Sequence, residues 1–206
     1  MKFKCFIVAS MAGLAVVGCS GGSGAKSADG VADAAAADTV AAVETPKEVF
    51  TSPDLTFADV KGHVKKITDT YDGKEYSVYE FDSTGVFTVR QPLEAVQKLS
   101  RDAEGRITGG DNGYYTVTWR DGKVTETVYN ESDGTLLSDS YKYDADGNLA
   151  ETVSKSEGPD GDYSWTLTYT YGPDAFDDHG NWIKRNVHST EDGGKDFQQT
   201  RKIYYY

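Results

Sequence analysis

The run Tyr141-Lys142-Tyr143-Asp144-Ala145-Asp146-Gly147-Asn148-Leu149-Ala150-Glu151 enters a tight corner with aromatic residues and leaves it with alternating ones. An Asp carboxylate at the head of such a corner can accept backbone N–H groups two residues on. A Gly three residues later takes the positive φ that a β-carbon disfavours. Weaker copies recur at Phe81-Asp82-Ser83-Thr84-Gly85-Val86-Phe87, Arg101-Asp102-Ala103-Glu104-Gly105-Arg106-Ile107 and Phe176-Asp177-Asp178-His179-Gly180-Asn181-Trp182. Each reads as a short hairpin loop closed by a left-handed Gly, so the chain reverses repeatedly over short distances.

Alternation between the corners supports strands. In Tyr163-Ser164-Trp165-Thr166-Leu167-Thr168-Tyr169-Thr170-Tyr171 one face is aromatic and aliphatic and the other is Ser and Thr, a clean period of two. Tyr115, Val117 and Trp119 repeat it. Val124, Glu126 and Val128 are expected to share a face more weakly. Ile183, Arg185 and Val187 form another face, as do Phe197, Arg201, Ile203 and Tyr205. Strands are predicted near 63–71, 74–81, 85–90, 96–101, 105–109, 113–120, 123–130, 135–143, 148–155, 162–171, 181–189 and 196–205. The runs at 96–101 and 105–109 alternate least and can merge with loops, which leaves about ten strands. A helical alternative exists where Pro92 precedes Leu93, Val96 and Leu99, three apart. Neighbouring strands joined by such short turns pair antiparallel. The expectation is an all-β, antiparallel meander. Sparse aliphatics and abundant Tyr, Trp and Thr favour a curved or half-barrel sheet over a thick sandwich.

Three segments are expected. Residues 1–18 have a basic start and an apolar stretch too short to remain as a membrane-spanning helix. Val16-Val17-Gly18-Cys19-Ser20 resembles the lipobox of bacterial lipoproteins. That resemblance implies cleavage before Cys19 and acyl chains on it, which together anchor a chain stably. Ser20 after the cysteine resembles lipoproteins sorted to the outer membrane, with the domain facing the periplasm. Residues 19–49, rich in Gly, Ser, Ala and Asp, cannot bury enough apolar surface to order themselves and read as a tether. By random-coil scaling it spans roughly 30 Å. Residues 50–206 form one folded domain.

Removing residues 1–18 leaves 188 residues, takes away Cys5 and leaves Cys19 as the sole cysteine, so neither a disulfide framework nor a thiolate metal site is available. The net charge of −12 becomes −14 once Lys2 and Lys4 are gone. A chain this acidic does not seek nucleic acid through charge, but can attract cationic partners.

Chemical motifs are few. His63, His179 and His188 fall at a strand start, in a turn and on a polar strand face, without a nucleophile signature around them. Glu80, Glu126 and Glu151 lie within strands, and Glu126 shares the expected face of Val124 and Val128, which singles it out for a raised pKa. Asp144 to Asn148 echoes the opening of a calcium loop, but Gly comes two positions early and Lys155 stands where the closing Glu belongs. No metal or cofactor is expected. The candidate binding residues are the rings of Tyr115, Trp119, Tyr163, Trp165, Tyr169 and Tyr171, able to stack on sugars or hold a peptide, or else to serve as the core.

The Asp-x-x-Gly corners at Asp144, Asp102 and Asp177 resemble the Tyr-Asp motif of RHS/YD repeats. Gly180-Asn181-Trp182-Ile183-Lys184-Arg185 with Arg201-Lys202-Ile203-Tyr204-Tyr205 is similar to lipoproteins of Bacteroides-type bacteria. The RHS/YD likeness implies long β-sheets, sometimes linked to carbohydrate binding; at this length and with irregular corner spacing it implies the sheet rather than a closed shell. The functional expectation is a non-catalytic envelope module that binds a glycan or protein or acts as a scaffold. An envelope hydrolase using strand carboxylates, and an inert spacer or secretion accessory, are the alternatives.

Overall fold

The computed structural model describes residues 50–206, apart from residues 92, 94, 95 and 160. The expected signal segment, the lipid site at Cys19 and the tether lie outside the described residues. The domain is all-β, a single antiparallel sheet of twelve strands that curves without closing. The strands are β1 (Val64–Tyr71), β2 (Lys74–Phe81), β3 (Phe87–Gln91), β4 (Leu99–Arg101), β5 (Ile107–Gly110), β6 (Tyr115–Arg120), β7 (Lys123–Asn130), β8 (Leu136–Tyr143), β9 (Leu149–Glu157), β10 (Tyr163–Thr170), β11 (Lys184–Ser189) and β12 (Lys195–Tyr205). The count is slightly above the ten expected because the weak runs at 96–101 and 105–109 both form strands, shortened to β4 and β5. Ahead of β4 the Val96 N–H bonds the Leu93 carbonyl, a single turn where the helical alternative was placed.

The Asp-x-x-Gly corner works as one repeated device. In the turns headed by Asp82, Asp102, Asp144 and Asp177, the Gly N–H donates to the Asp carbonyl, and the Asp N–H donates to the carbonyl four residues on. The carboxylates of Asp82, Asp102 and Asp177 accept the N–H two residues on, at 2.8, 3.1 and 2.9 Å. Gly85, Gly105, Gly147 and Gly180 hold φ between 72° and 85°. Asp144 likewise takes the Asn148 N–H at 2.8 Å, so its carboxylate serves its own turn.

Two connections depart from a simple meander. The sheet order is β3-β2-β1-β12-β11-β10-β9-β8-β7-β6-β5-β4, so β1 pairs with β12 while β3 and β4 form the two free edges. The β1–β12 register sets Asp69 opposite Arg201. Their side chains meet in a buried two-bond ion pair at 2.7 and 3.0 Å, and Ser77 on β2 donates to the same carboxylate at 2.9 Å. Burial works against the Arg201 charge, but Asp69 more than offsets it and holds the guanidinium above its usual pKa. Between the free edges sits α1 (Pro53–Phe57), a single turn capped by Ser52 with Pro at its first position. Its buried Asp54 accepts the Phe87 N–H of β3 at 2.9 Å and both terminal nitrogens of Arg101 on β4. One carboxylate therefore ties both edges.

The inner face carries the core. Leu55, Val64, Ile67, Tyr79 and Phe81 pack around β1 and β2. Ile107, Tyr115, Val117, Tyr141, Leu149, Leu167, Tyr169 and Val187 fill the rest. Two buried arginines belong to this face. The Arg185 and Arg201 guanidiniums lie 4.0 and 3.9 Å from the Trp182 ring, and the Trp182 Nε1 donates to Asp59 at 2.9 Å. Breaking a buried pair from one side strands the other charge, at about 3–5 kcal/mol. Arg201→Met should therefore lower the unfolding free energy by about that amount in urea denaturation. A loss under about 1 kcal/mol would mean that Asp69 is not dependent on its partner.

Candidate functional site

Directly opposed strand residues share a face, so the register places the inner side chains in rows. One row runs Val117, Thr127, Asp139, Ser154, Trp165 across β6 to β10. Beside it runs Tyr115, Tyr129, Leu137, Ser156, Tyr163. The next row inward has Tyr141, Thr152 and Leu167.

Residue size shapes these rows. The inner residues of β9 are Thr152, Ser154 and Ser156, all small, whereas its neighbours carry Leu137, Asp139 and Tyr141 on β8 and Tyr163, Trp165 and Leu167 on β10. Low residues between two tall walls make a trough along β9. The backbones of β8 and β10 stand about 10 Å apart, two interstrand spacings, and their side chains occupy part of that width. The floor is sealed at one end, where Thr152 and Ser154 are buried. At the other end Leu137, Ser156 and Trp165 are half-buried and Tyr163 is 50% exposed, so the trough opens there.

The trough holds one carboxyl. Asp139 is half-buried as a residue, but its carboxyl is turned into the protein, where Ser154 Oγ donates to it at 2.5 Å. Burial pushes its pKa up to about 6, against the opposing pull of hydrogen bonds from Ser154 and Tyr141. The Tyr141 hydroxyl also meets Thr127 Oγ1 at 2.8 Å. The buried Tyr115 hydroxyl has no hydrogen-bond partner among the described residues. Burial raises its pKa, and the nearby Asp139 charge raises it further.

The six expected binding rings divide. Tyr163 and Trp165 line the open end. Tyr115 and Tyr169 are buried, and Tyr171, half-buried, donates to the Leu149 carbonyl at 3.0 Å. Trp119 is half-buried, with its Nε1 on the Ile107 carbonyl at 2.6 Å. Four of the six thus pack into the domain, and two face the trough mouth.

Glu126 needs correction. A bulge between Thr118 and Trp119 leaves Thr125 with no residue opposite it in the ladder, so Val124 and Thr127 both turn inward while Glu126 stands exposed on the outer face. Glu80 and Glu151 are also outside, paired across strands with Lys66 at 2.9 Å and Lys142 at 2.6 Å. Among the acids of β7 to β10 it is Asp139 that faces inward, a residue the sequence reading passed over although it stands at period-two spacing from Leu137, Tyr141 and Tyr143. The same signal, an arginine in register with apolar neighbours, marked Arg185 and Arg201 for burial.

A second hollow of about 430 Å³ lies on the outer face of β10, β11 and β12, lined by Thr168, Thr170, Asn186, His188 and Asp196. His188 Nδ1 lies 2.7 Å from Asp196 Oδ1. Both residues stand in solvent, as on any polar β surface. The trough, with a carboxyl withdrawn from water beside half-exposed rings, is the stronger site.

Compared with protein-family models, curated proteins and solved structures, the chain finds no match in any of the three.

The raised Asp139 pKa has a definite sign in stability. An acid titrating higher in the folded than in the unfolded state binds more protons when folded. The domain therefore loses stability as pH rises from about 4 through about 6. Asp139→Asn keeps the shape and a Ser154 acceptor but carries no charge. It should stabilise the domain at pH 7 by about 1–2 kcal/mol and flatten that decline. Urea midpoints of both proteins from pH 4 to 7 measure this; parallel curves would mean that the carboxyl is solvated.

Proposed function

We propose that this chain is a non-catalytic binding module of the bacterial cell envelope, with a glycan or an envelope protein as partner. In this reading it is lipid-anchored at Cys19 to the outer membrane and faces the periplasm. The observation that carries the binding role is the mouth of the trough. Two aromatic side chains, Trp165 and Tyr163, remain accessible beside a withdrawn carboxyl, while Tyr115 and Tyr169 are buried and Tyr171 and Trp119 bond carbonyls inside the domain.

The strand directions add a placement. The mouth lies where β8 and β10 begin and β9 ends. The antiparallel order puts the start of β1 at the opposite end. There Phe50 stacks on His63 at 3.8 Å and its carbonyl takes the Gly62 N–H. The described chain thus enters at the end remote from the mouth, which suits a module tethered behind and binding in front. The Asp-x-x-Gly hairpins support a YD-repeat-like reading limited to turn and sheet.

Hydrolysis is the second reading, and Asp139 is the observation that favours it, because a carboxyl titrating near neutrality suits a general acid. Glycoside hydrolysis takes two carboxyls. Asp139 is the one acid among the inner residues of β8, β9 and β10 that line the trough, so the binding role stands first.

Trp119 and Trp182 have their indole N–H groups engaged inside the domain, which leaves Trp165 as the reporter of the mouth. Titrating the full chain with soluble peptidoglycan fragments and purified envelope proteins should give a saturable emission change. Trp165→Phe should lose that change and keep the melting temperature within about 2 °C. A response that survives Trp165→Phe would move the site elsewhere, and emission that no ligand moves would favour a spacer.

A further inference from the structure

Resting on the binding reading, four observations converge on the chemistry of the occupant. The low strip between the side chains of β8 and β10 is one strand wide, with Ser154 and Ser156 as its floor, which suits a single extended side chain better than a sugar ring lying flat. Its walls are apolar at the mouth, Leu137 on one side and Trp165 with Tyr163 on the other. A carboxyl lies one row inside that mouth and meets no cation within 4 Å among the described residues; its hydrogen-bond donors are the neutral hydroxyls of Ser154 and Tyr141. The Tyr115 hydroxyl, on a residue 1% exposed, is buried without a partner in electrostatic reach of that carboxyl.

Charge around the mouth has the same sign. The turn at 131–135 contributes Glu131 and Asp133, the segment at 157–162 contributes Glu157 and Asp162, and neither holds a lysine or arginine. A mouth ringed by acids raises the local concentration of cations. Aromatic faces attract an ammonium most strongly where water is excluded.

We infer that the trough is a receptor for a lysine side chain of a protein partner, its aliphatic stem lying between Leu137 and Trp165 and its ammonium paired with Asp139. The ammonium supplies the missing countercharge, and Tyr115 supplies a further oxygen near it. A neutral sugar would leave the carboxylate uncompensated. The rings of Trp165 and Tyr163 flank the entering chain and set its direction.

The pairing requires an ionised carboxyl. The titratable groups facing Asp139 are Tyr115 from β6, Tyr129 from β7, Tyr141 on β8 and Tyr163 from β10, with hydroxyl residues alone on β9. Phenols ordinarily titrate near pH 10, so Asp139 is the group there that changes charge between pH 5 and 7. With ionisation centred at about 6, lysine affinity should be about tenfold weaker at pH 5 than at pH 7.

The experiment titrates the full chain with a short lysine-centred peptide, its norleucine counterpart, glucosamine and glucose, reading Trp165 emission. The expected result is saturable binding of the lysine peptide at pH 7. Norleucine should bind at least tenfold more weakly, Asp139→Asn should lose at least tenfold, and Ser154→Val, which fills the floor but keeps the carboxyl, should also weaken binding. Equal binding of the lysine and norleucine peptides, or an unchanged affinity in Asp139→Asn with a native-like melting curve, overturns the ammonium site. Glucosamine binding with a silent lysine peptide overturns the protein partner in favour of an amino sugar. Glucose alone moving Trp165 keeps the binding module and removes the ammonium assignment; no response to any of the four, or to the envelope ligands above, removes both.

Discussion

The pairing of β1 with β12 is the constraint on which the rest of the sheet depends. Eleven strand neighbours are possible in a twelve-stranded open sheet, and all but this one follow from strands adjacent in sequence. A short hairpin turn specifies its own pairing, but the meeting of residues more than a hundred positions apart has no turn to set its register. Here buried polar groups set it. Asp69 and Arg201 face each other across the ladder, Ser77 completes the carboxylate, and Arg201 also donates to the Asp59 carbonyl at 3.0 Å. Any slip by one residue would turn Arg201 outward and leave Asp69 buried alone, so the pair discriminates between registers even where its net stabilisation is modest.

The neighbouring residues explain why the closing motif of the chain has its composition. Gly180 turns the chain, and Asn181 then bonds the Lys61 N–H at 2.8 Å, the Lys61 carbonyl at 3.0 Å and the Tyr205 hydroxyl at 2.7 Å. Trp182 follows as the plane against which both guanidiniums rest. Arg185 has no carboxylate within 4 Å among the described residues. It relies on Gln199 Oε1 at 2.7 Å and the faces of Tyr169 and Trp182. Stacking on π-faces suits a guanidinium because its plane is weakly hydrated. A run that looks like a recognition motif is therefore occupied in knitting the first strand to the last.

Much of this was legible in the sequence, and the rest was hidden for identifiable reasons. The Asp-x-x-Gly corners and the alternation of Tyr163 to Tyr171 locate turns and strands because both are local, decided by φ and by side-chain period. The inward arginines were placed on the right face, but a period of two says nothing of what meets them, since Asp69 lies 132 residues from Arg201. Glu126 was misplaced by the bulge at Thr125, a backbone event that no residue there announces. The split of the aromatic row was out of reach for a similar reason. Whether Tyr163 is accessible and Tyr169 buried depends on which end of β10 faces the open mouth, and on what the strands beside it carry.

That division also shows why one end of the sheet is available for binding. The turns headed by Asp82, Asp102, Asp144 and Asp177 all follow even-numbered strands, so antiparallel order gathers them at one end, with α1, Lys61 and the last residues of β12. This end is consumed by the interactions that close the fold: Asp54 across the free edges, Asn181 to Lys61, and Tyr205 donating to Asp177 at 2.5 Å. The other end closes with turns that make fewer such demands, and there β9 presents Ser154 and Ser156 where its neighbours present Asp139, Leu137, Trp165 and Tyr163. Larger residues on β9 would fill the gap and bury more apolar surface at about 25 cal/mol per Å². Small hydroxyl residues forgo that gain and leave a withdrawn carboxyl uncompensated, a local conflict of the kind expected where a surface serves a partner rather than the fold.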